Sequence, residues 1–138
     1  MMHENEIGTV IVQTAIELHK DLGPGLLESV YEVLLAHCLR QKGLRVERQV
    51  PVPIEFDGHR FEEGFRVDLI VEGKVIVELK SVEQVHPAHK KQVLTYLKLT
   101  ELKLGYLLNF GAAWMKDGIF RIINGKLNSH TEPRRTQG

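Results

Sequence analysis

The sequence holds one cysteine, Cys38, and one tryptophan, Trp114, among 138 residues. A single thiol cannot build an internal disulfide framework or a zinc site made of cysteines alone. Net charge is absent as well, because 18 Lys and Arg balance 18 Asp and Glu. A neutral chain has no global field to hold a polyanion, so nucleic-acid contact would need a local basic patch. No uncharged apolar run reaches the roughly 20 residues of a membrane-spanning helix. The opening Met1-Met2-His3-Glu4-Asn5-Glu6 lacks the basic start and apolar stretch of a signal peptide. A soluble, cytoplasmic protein with no membrane partner is expected. What the chain does have is 43% hydrophobic and 26% charged residues, enough for a buried core and too apolar for intrinsic disorder. The length fits one domain, expected over residues 1–127, with the polar stretch 128–138 as a flexible tail.

Periodicity orders the elements. Ile7, Val10, Ile11, Thr14, Ala15 and Leu18 recur at helical spacing over residues 6–21, and Gly23-Pro24-Gly25 breaks that helix. Core packing is the preferred role of its apolar stripe, with a dimer face as the alternative. A second helix is expected over residues 26–42, with Leu27, Val30, Tyr31, Leu34, Leu35 and Cys38 on its apolar side and Gly43 as its stop. Cys38 there reads as a small buried hydrophobe. The period then falls to two from Val46 to Phe56, and Asp57-Gly58 signals a tight hairpin. Return strands over 59–71 and 74–79, joined at Glu72-Gly73, complete an antiparallel meander. Beyond Pro87, Val93, Leu94, Leu97 and Thr100 restore the helical period. The run 104–110 reads as a buried strand and 119–123 as one more, giving the order α-α-β-β-β-α-β-β. Trp114 is expected in the core.

Two acidic residues break the pattern of otherwise apolar strands. Arg66, Asp68 and Ile70 share one face of their strand, with Val67, Leu69 and Val71 on the other; Ile76, Glu78 and Lys80 share a face of the next. If the turn centres on Gly73, Val71 pairs with Val75, Asp68 lies across from Glu78, and Arg66 across from Lys80. A strict two-residue turn would separate the acids instead. The first register gathers the charges and leaves an apolar face intact, so it is preferred. Opposed carboxylates repel, and burial raises the cost. Either Arg66 and Lys80 form a structural ion network, or Asp68 and Glu78 hold a divalent cation. Magnesium suits the second arrangement, since it takes few carboxylates and keeps its waters. Lys80 would then steady an attacking water or the charge developing on a phosphate.

Asp68 followed by Glu78-Leu79-Lys80 resembles the D…(E/D)xK signature of the PD-(D/E)XK nuclease superfamily. Gly25-Leu26-Leu27-Glu28-Ser29-Val30-Tyr31 resembles the G-x-x-E-x-x-Y motif of the GxxExxY protein family, which is grouped with those nucleases. Gln92-Val93-Leu94-Thr95-Tyr96 is similar to the Q-x-x-x-Y on the helix after the ExK strand. Leu107-Leu108-Asn109-Phe110-Gly111 is similar to the L-x-N-F-G ending. The motifs run in the expected order between Ile7 and Ile123. Val67 stands where many members have the proline of the signature's name.

The resemblance implies an α/β (α+β), restriction-endonuclease-like fold: an α-β-β-β-α-β core with a central mixed sheet flanked by helices, here with an extra N-terminal helix. It implies an Mg2+-dependent nuclease, with Mn2+ as a substitute ion, acting on nucleic acid and on DNA in preference to RNA. Asp68 and Glu78 would be the main metal ligands and Glu28 would help bind the metal or its water. Lys80 would be the catalytic lysine, and Gln92 and Tyr96 would border the site. A homodimer would suit a duplex with two strands to cut. The alternative is a catalytically silent module on the same fold that binds nucleic acid or a protein.

Taken singly, these residues also have ordinary roles. Glu28 could be a solvated helix residue, Tyr31 a core residue with its hydroxyl at the rim, and Gln92 and Tyr96 a pair one helical turn apart. The spacing of three between His86 and His89 could ligate a transition metal, but no third histidine lies nearby, and His89 is read as a surface or phosphate-contact residue. Lys90, Lys91, Lys98 and Lys103 face only Glu101 along residues 86–103, while Arg40, Lys42, Arg45 and Arg48 face only Glu47 along 40–48. Both clusters permit phosphate contact, but no base-reading motif accompanies them.

Overall fold

The computed structural model describes residues 2–127, so the tail expected over 128–138 lies outside the described residues. Helix α1 (Glu4–Leu22) opens on a capping box. The His3 ring accepts from the Asn5 N–H (3.2 Å), and the Glu6 carboxylate accepts from the His3 N–H (2.7 Å). Its stripe enters the core as expected, with Ile7, Ile11, Thr14, Ala15 and Leu18 buried. Helix α2 (Glu28–Gln41) buries Tyr31, Glu32, Leu35, Ala36 and Leu39. The predicted stripe is therefore offset: Leu27 is 72% exposed and Val30 37%. Leu27 is the extended N-cap and stands outside the helical register, and the i, i+4, i+8 row Tyr31, Leu35 and Leu39 faces inward and rolls Val30 out. Cys38 is half-buried against the core.

Five strands follow the expected meander and crossover: β1 (Val46–Phe56), β2 (His59–Val71), β3 (Val75–Lys80), β4 (Leu104–Asn109) and β5 (Ile119–Ile123), with helix α3 (Pro87–Thr100) between β3 and β4. They form one sheet in the order β1-β2-β3-β4-β5. The β3–β4 pair is parallel and the others are antiparallel, giving the mixed sheet of a restriction-endonuclease-like fold. Asp57 and Gly58 both take left-handed φ (54° and 74°), the requirement of a two-residue hairpin whose twist matches its strands. At the next turn Val71 pairs with Val75, which is the preferred register.

Helices α1 and α2 cover one face of the sheet through Leu69, Val71, Val75, Val77 and Leu79. Helix α3 covers the other through Val52, Val67, Ile70, Ile76 and Leu107. One expectation fails here. Strict alternation puts Val67 with Leu69 and Val71, yet Val67 packs under α3. The same reversal occurs on β1, where Val46 packs with α1 and α2 but Val52 with α3. The cause sits between the pairs Arg48–Leu69 and Val50–Val67, where Gln49 carries a φ of 54°. A left-handed residue inside a strand breaks the two-residue repeat. Trp114 also departs from expectation, at 70% exposed. It is the extended residue before a short 3-10 helix, Met115–Gly118, and Met115 takes the core position instead.

Candidate active site

The sheet brings Asp68 and Glu78 together at the point where the β2 alternation fails. Each carboxylate bridges to the other strand's backbone: Glu78 Oε2 accepts from the Asp68 N–H (2.7 Å), and Asp68 Oδ2 from the Leu79 N–H (2.9 Å). Neither Arg66 nor Lys80 forms an ion pair with them, and Arg66 pairs in register with Pro51 on β1. The structural ion network is thus not built among the described residues. Lys80 ends β3 two residues beyond Glu78, on the same side of the strand.

Helix α2 supplies the opposite wall. Leu27, Glu28, Ser29, Glu32, Gln49 and Asp68 line a cleft of about 400 Å³. Glu28 occupies the first turn of α2. One turn on, Glu32 is 4% exposed and held by Arg48 Nε (3.1 Å) and Gln49 Nε2 (2.7 Å). Gln49 Nε2 also reaches Asp68 Oδ1, at 3.4 Å. Sequence reasoning missed both of these residues as parts of the site. Glu32 had a signal, since it lies four residues from Glu28 and so shares its helix face. Gln49 had none, because its role follows from a backbone angle.

The remaining motif residues fasten this cleft. The Tyr31 hydroxyl donates to the Gly23 carbonyl and accepts from the Leu26 N–H, closing the loop ahead of α2, while its ring stacks on Phe110 at 4.4 Å. Ser81 Oγ donates to the Leu26 carbonyl (2.8 Å), tying that loop to the end of β3. Asn109 clamps the same segment: its amide oxygen accepts from the Val82 and Gly111 N–H groups, and its nitrogen donates to the Val82 carbonyl. A side chain at Gly111 would meet the Val82 backbone, with the Val82 nitrogen only 2.6 Å from an added Cβ.

From α3, Tyr96 is buried with its ring 5.1 Å from Phe65. Gln92 is half-buried and forms no hydrogen bond with Tyr96, so the pairing alternative is not realised. His86 and His89 cap α3, the His86 N–H reaching His89 Nδ1 at 3.3 Å.

Electrostatics mark the pair. Burial first, then the Asp68 charge, pushes Glu78 up to about 8. Burial first, then Glu32 and Glu28, pushes Asp68 up to about 6. Burial, then Glu78 and Asp68, raises the Tyr96 hydroxyl to about 12. His89 is lowered by burial, Lys80 and His86, which places it within the field of the site's lysine.

A family model of the PD-(D/E)XK nuclease superfamily matches residues 5–122, a span that contains every residue of this cleft. The chain belongs to the PD-(D/E)XK nuclease superfamily. Comparison with the curated proteins and with the solved structures finds no match. Membership suggests a nuclease-like function on a nucleic-acid substrate, and nucleases of this superfamily are typically dependent on a divalent metal. No helix among the described residues is long and apolar enough to cross a membrane.

The donor set fits such an ion. No group of three or more His, Cys, Asp or Glu among the described residues is gathered as a ready-made cage. Magnesium does not need one: it is commonly held by one or two carboxylates and retains several waters. Asp68 and Glu78 supply two desolvated carboxylates, each with one oxygen bound to backbone N–H and, among the described residues, no cationic side chain in salt-bridge range.

Proposed function

We propose that this chain is an Mg2+-dependent nuclease of the GxxExxY group, hydrolysing phosphodiester bonds of nucleic acid, with DNA as the preferred substrate. The observation that carries the proposal is the juxtaposition of Asp68 and Glu78, two carboxylates raised by burial and by neighbouring carboxylates, with Lys80 at the end of the strand that carries Glu78. Asp68 and Glu78 would hold the metal and Glu28 would assist from α2. Bound there, the ion would polarise the scissile phosphate and lower the pKa of a coordinated water. Lys80 forms no ion pair among the described residues, so its ammonium is available to stabilise charge on the phosphate or to serve in proton transfer. Gln92 and Tyr96 border the site from α3 and orient water or phosphate. Residues 1–127 would act as one catalytic domain in the cytoplasm, and a homodimer would match the two strands of a duplex.

Purified protein tested on supercoiled, linear, single-stranded and branched DNA and on RNA, each with Mg2+, Mn2+ or EDTA, decides the matter. Metal-dependent cutting by the wild type, absent from Asp68→Ala, is the expected result. Failure to cut any of these substrates refutes the nuclease reading and favours a binding module on the same fold.

A further inference from the structure

A second concavity lies outside the acidic cleft. It has a volume of about 620 Å³ and runs between α1, the loop at Gly23 and Pro24, and the segment carrying Trp114. One hydrogen bond joins its distant walls, His19 Nε2 lying 2.8 Å from the Ala112 carbonyl, and the Gly23 N–H ends α1 beside it by donating to the His19 carbonyl (2.7 Å). Trp114, at 70% exposure, and Ile16, at 42%, both line this concavity. The fully charged residues lining it are Lys20 and Lys116, both exposed, and no carboxylate is among the lining residues.

An exposed indole that shares a groove with two lysines offers the two contacts an unpaired nucleotide needs: a π-face for the base and cations for its phosphates. The position is also suitable. The loop that forms one wall leads directly into α2, and Glu28 is within about 18 Å of Gly23 by chain reach. The far side of that loop is tied to Ser81, the residue after Lys80.

We infer that this groove is a subsite for an unpaired nucleic-acid strand, in which a nucleobase stacks on Trp114 while Lys20 and Lys116 contact the adjoining phosphates. The inference rests on the nuclease reading and deepens it by naming a substrate class, nucleic acid that carries an unpaired segment, such as a duplex with a frayed end.

Trp114 is the sole tryptophan of the chain, so its fluorescence reports this groove and nothing else. The full chain is titrated with a short oligodeoxythymidylate in EDTA, where no cutting occurs. Saturable quenching is expected. Trp114→Ala should weaken binding of a labelled oligonucleotide about tenfold, and Trp114→Phe should recover much of the loss. Replacing both lysines should make the salt dependence shallower, by roughly 0.7 in slope for each phosphate no longer neutralised. Three results overturn the inference: no quenching; equal quenching by inorganic polyphosphate, which has no base; or an emission shift that follows protein concentration alone, which would mean that a second copy covers the groove. Cleavage by the wild type in Mg2+ keeps the two readings apart. Quenching in a wild type that cuts no substrate upholds the subsite and sinks the nuclease, whereas cutting without quenching does the reverse.

Discussion

The buried carboxylate pair makes a prediction about stability that needs no substrate. In the metal-free protein Glu78 holds its proton up to about pH 8, whereas in the unfolded chain it ionises near 4.5. Between those values the native state binds a proton that the unfolded state has released, so stability falls as pH rises. The loss begins near pH 4.5 and is complete above pH 8. At pH 7 the gap between pH and the unfolded value corresponds to a penalty of about 3 kcal/mol, a large part of the 5–15 kcal/mol typical of a small domain. Glu78→Gln removes the titration while its amide oxygen can still accept from the Asp68 N–H. Urea unfolding in EDTA should therefore show wild type losing stability from pH 5 to pH 8 and the variant losing much less, so that the variant is the more stable at pH 8. Magnesium should narrow the gap. An ion bound only by the native state adds about 2.7 kcal/mol at a hundredfold excess over its dissociation constant, and the variant has lost a ligand. Parallel pH profiles for the two proteins, or equal stabilisation of both by Mg2+, would refute the argument that Glu78 is a desolvated acid awaiting a cation.

Neighbouring residues carry expectations of their own. Lys80→Met should lower cleavage in the plasmid-nicking assay by at least about a hundredfold, the usual scale for a proton-transfer group, with an unchanged circular dichroism spectrum. Gln49→Gly should unfold at higher urea than Gln49→Ala by about 1 kcal/mol, because only glycine relieves the left-handed backbone at that position, yet both should cut poorly. Asn109→Ala should destabilise by about 3 kcal/mol, since it strips hydrogen bonds from the backbone at Val82 and Gly111, read as a fall in melting temperature.

The parts of the site legible in the sequence were those that follow from turn chemistry and spacing. Gly73 centred the β2–β3 turn and that turn set Val71 opposite Val75; the ladder runs to Leu69 opposite Val77, and beyond it Asp68 and Glu78 meet through hydrogen bonds from their carboxylates to the facing backbone. The single parallel pair could be expected from the resemblance and from the helix intervening between β3 and β4, because parallel strands need a long crossover. The illegible parts depend on backbone angles or on competition between apolar residues. Nothing in the residue types around Gln49 announces a positive φ, and so neither the reversal of Val67 nor the reach of Gln49 to Glu32 could be read in advance. Trp114 and Met115 are adjacent and both apolar; the 3-10 turn gives the core to Met115. Leu27 and Val30 fit a helical repeat in isolation, but the row headed by Tyr31 outcompetes theirs.

The position of β3 has a consequence for the life of the chain as it is made. It is the central strand of the sheet, and its neighbour β4 joins it only after the crossover through α3. The carbonyl of Lys80 and the backbone of Val82 are secured by Phe110 and Asn109, residues that leave the ribosome about thirty positions after them. Pairing across such a separation comes late in folding, after its loop-closure entropy has been met. A nascent chain already displaying Asp68, Glu78 and Lys80 therefore lacks the clamp that fixes their strand end. On the nuclease reading, the polypeptide stays harmless to the nucleic acid around it until β4 and the Asn109–Phe110 segment have been translated and assembled.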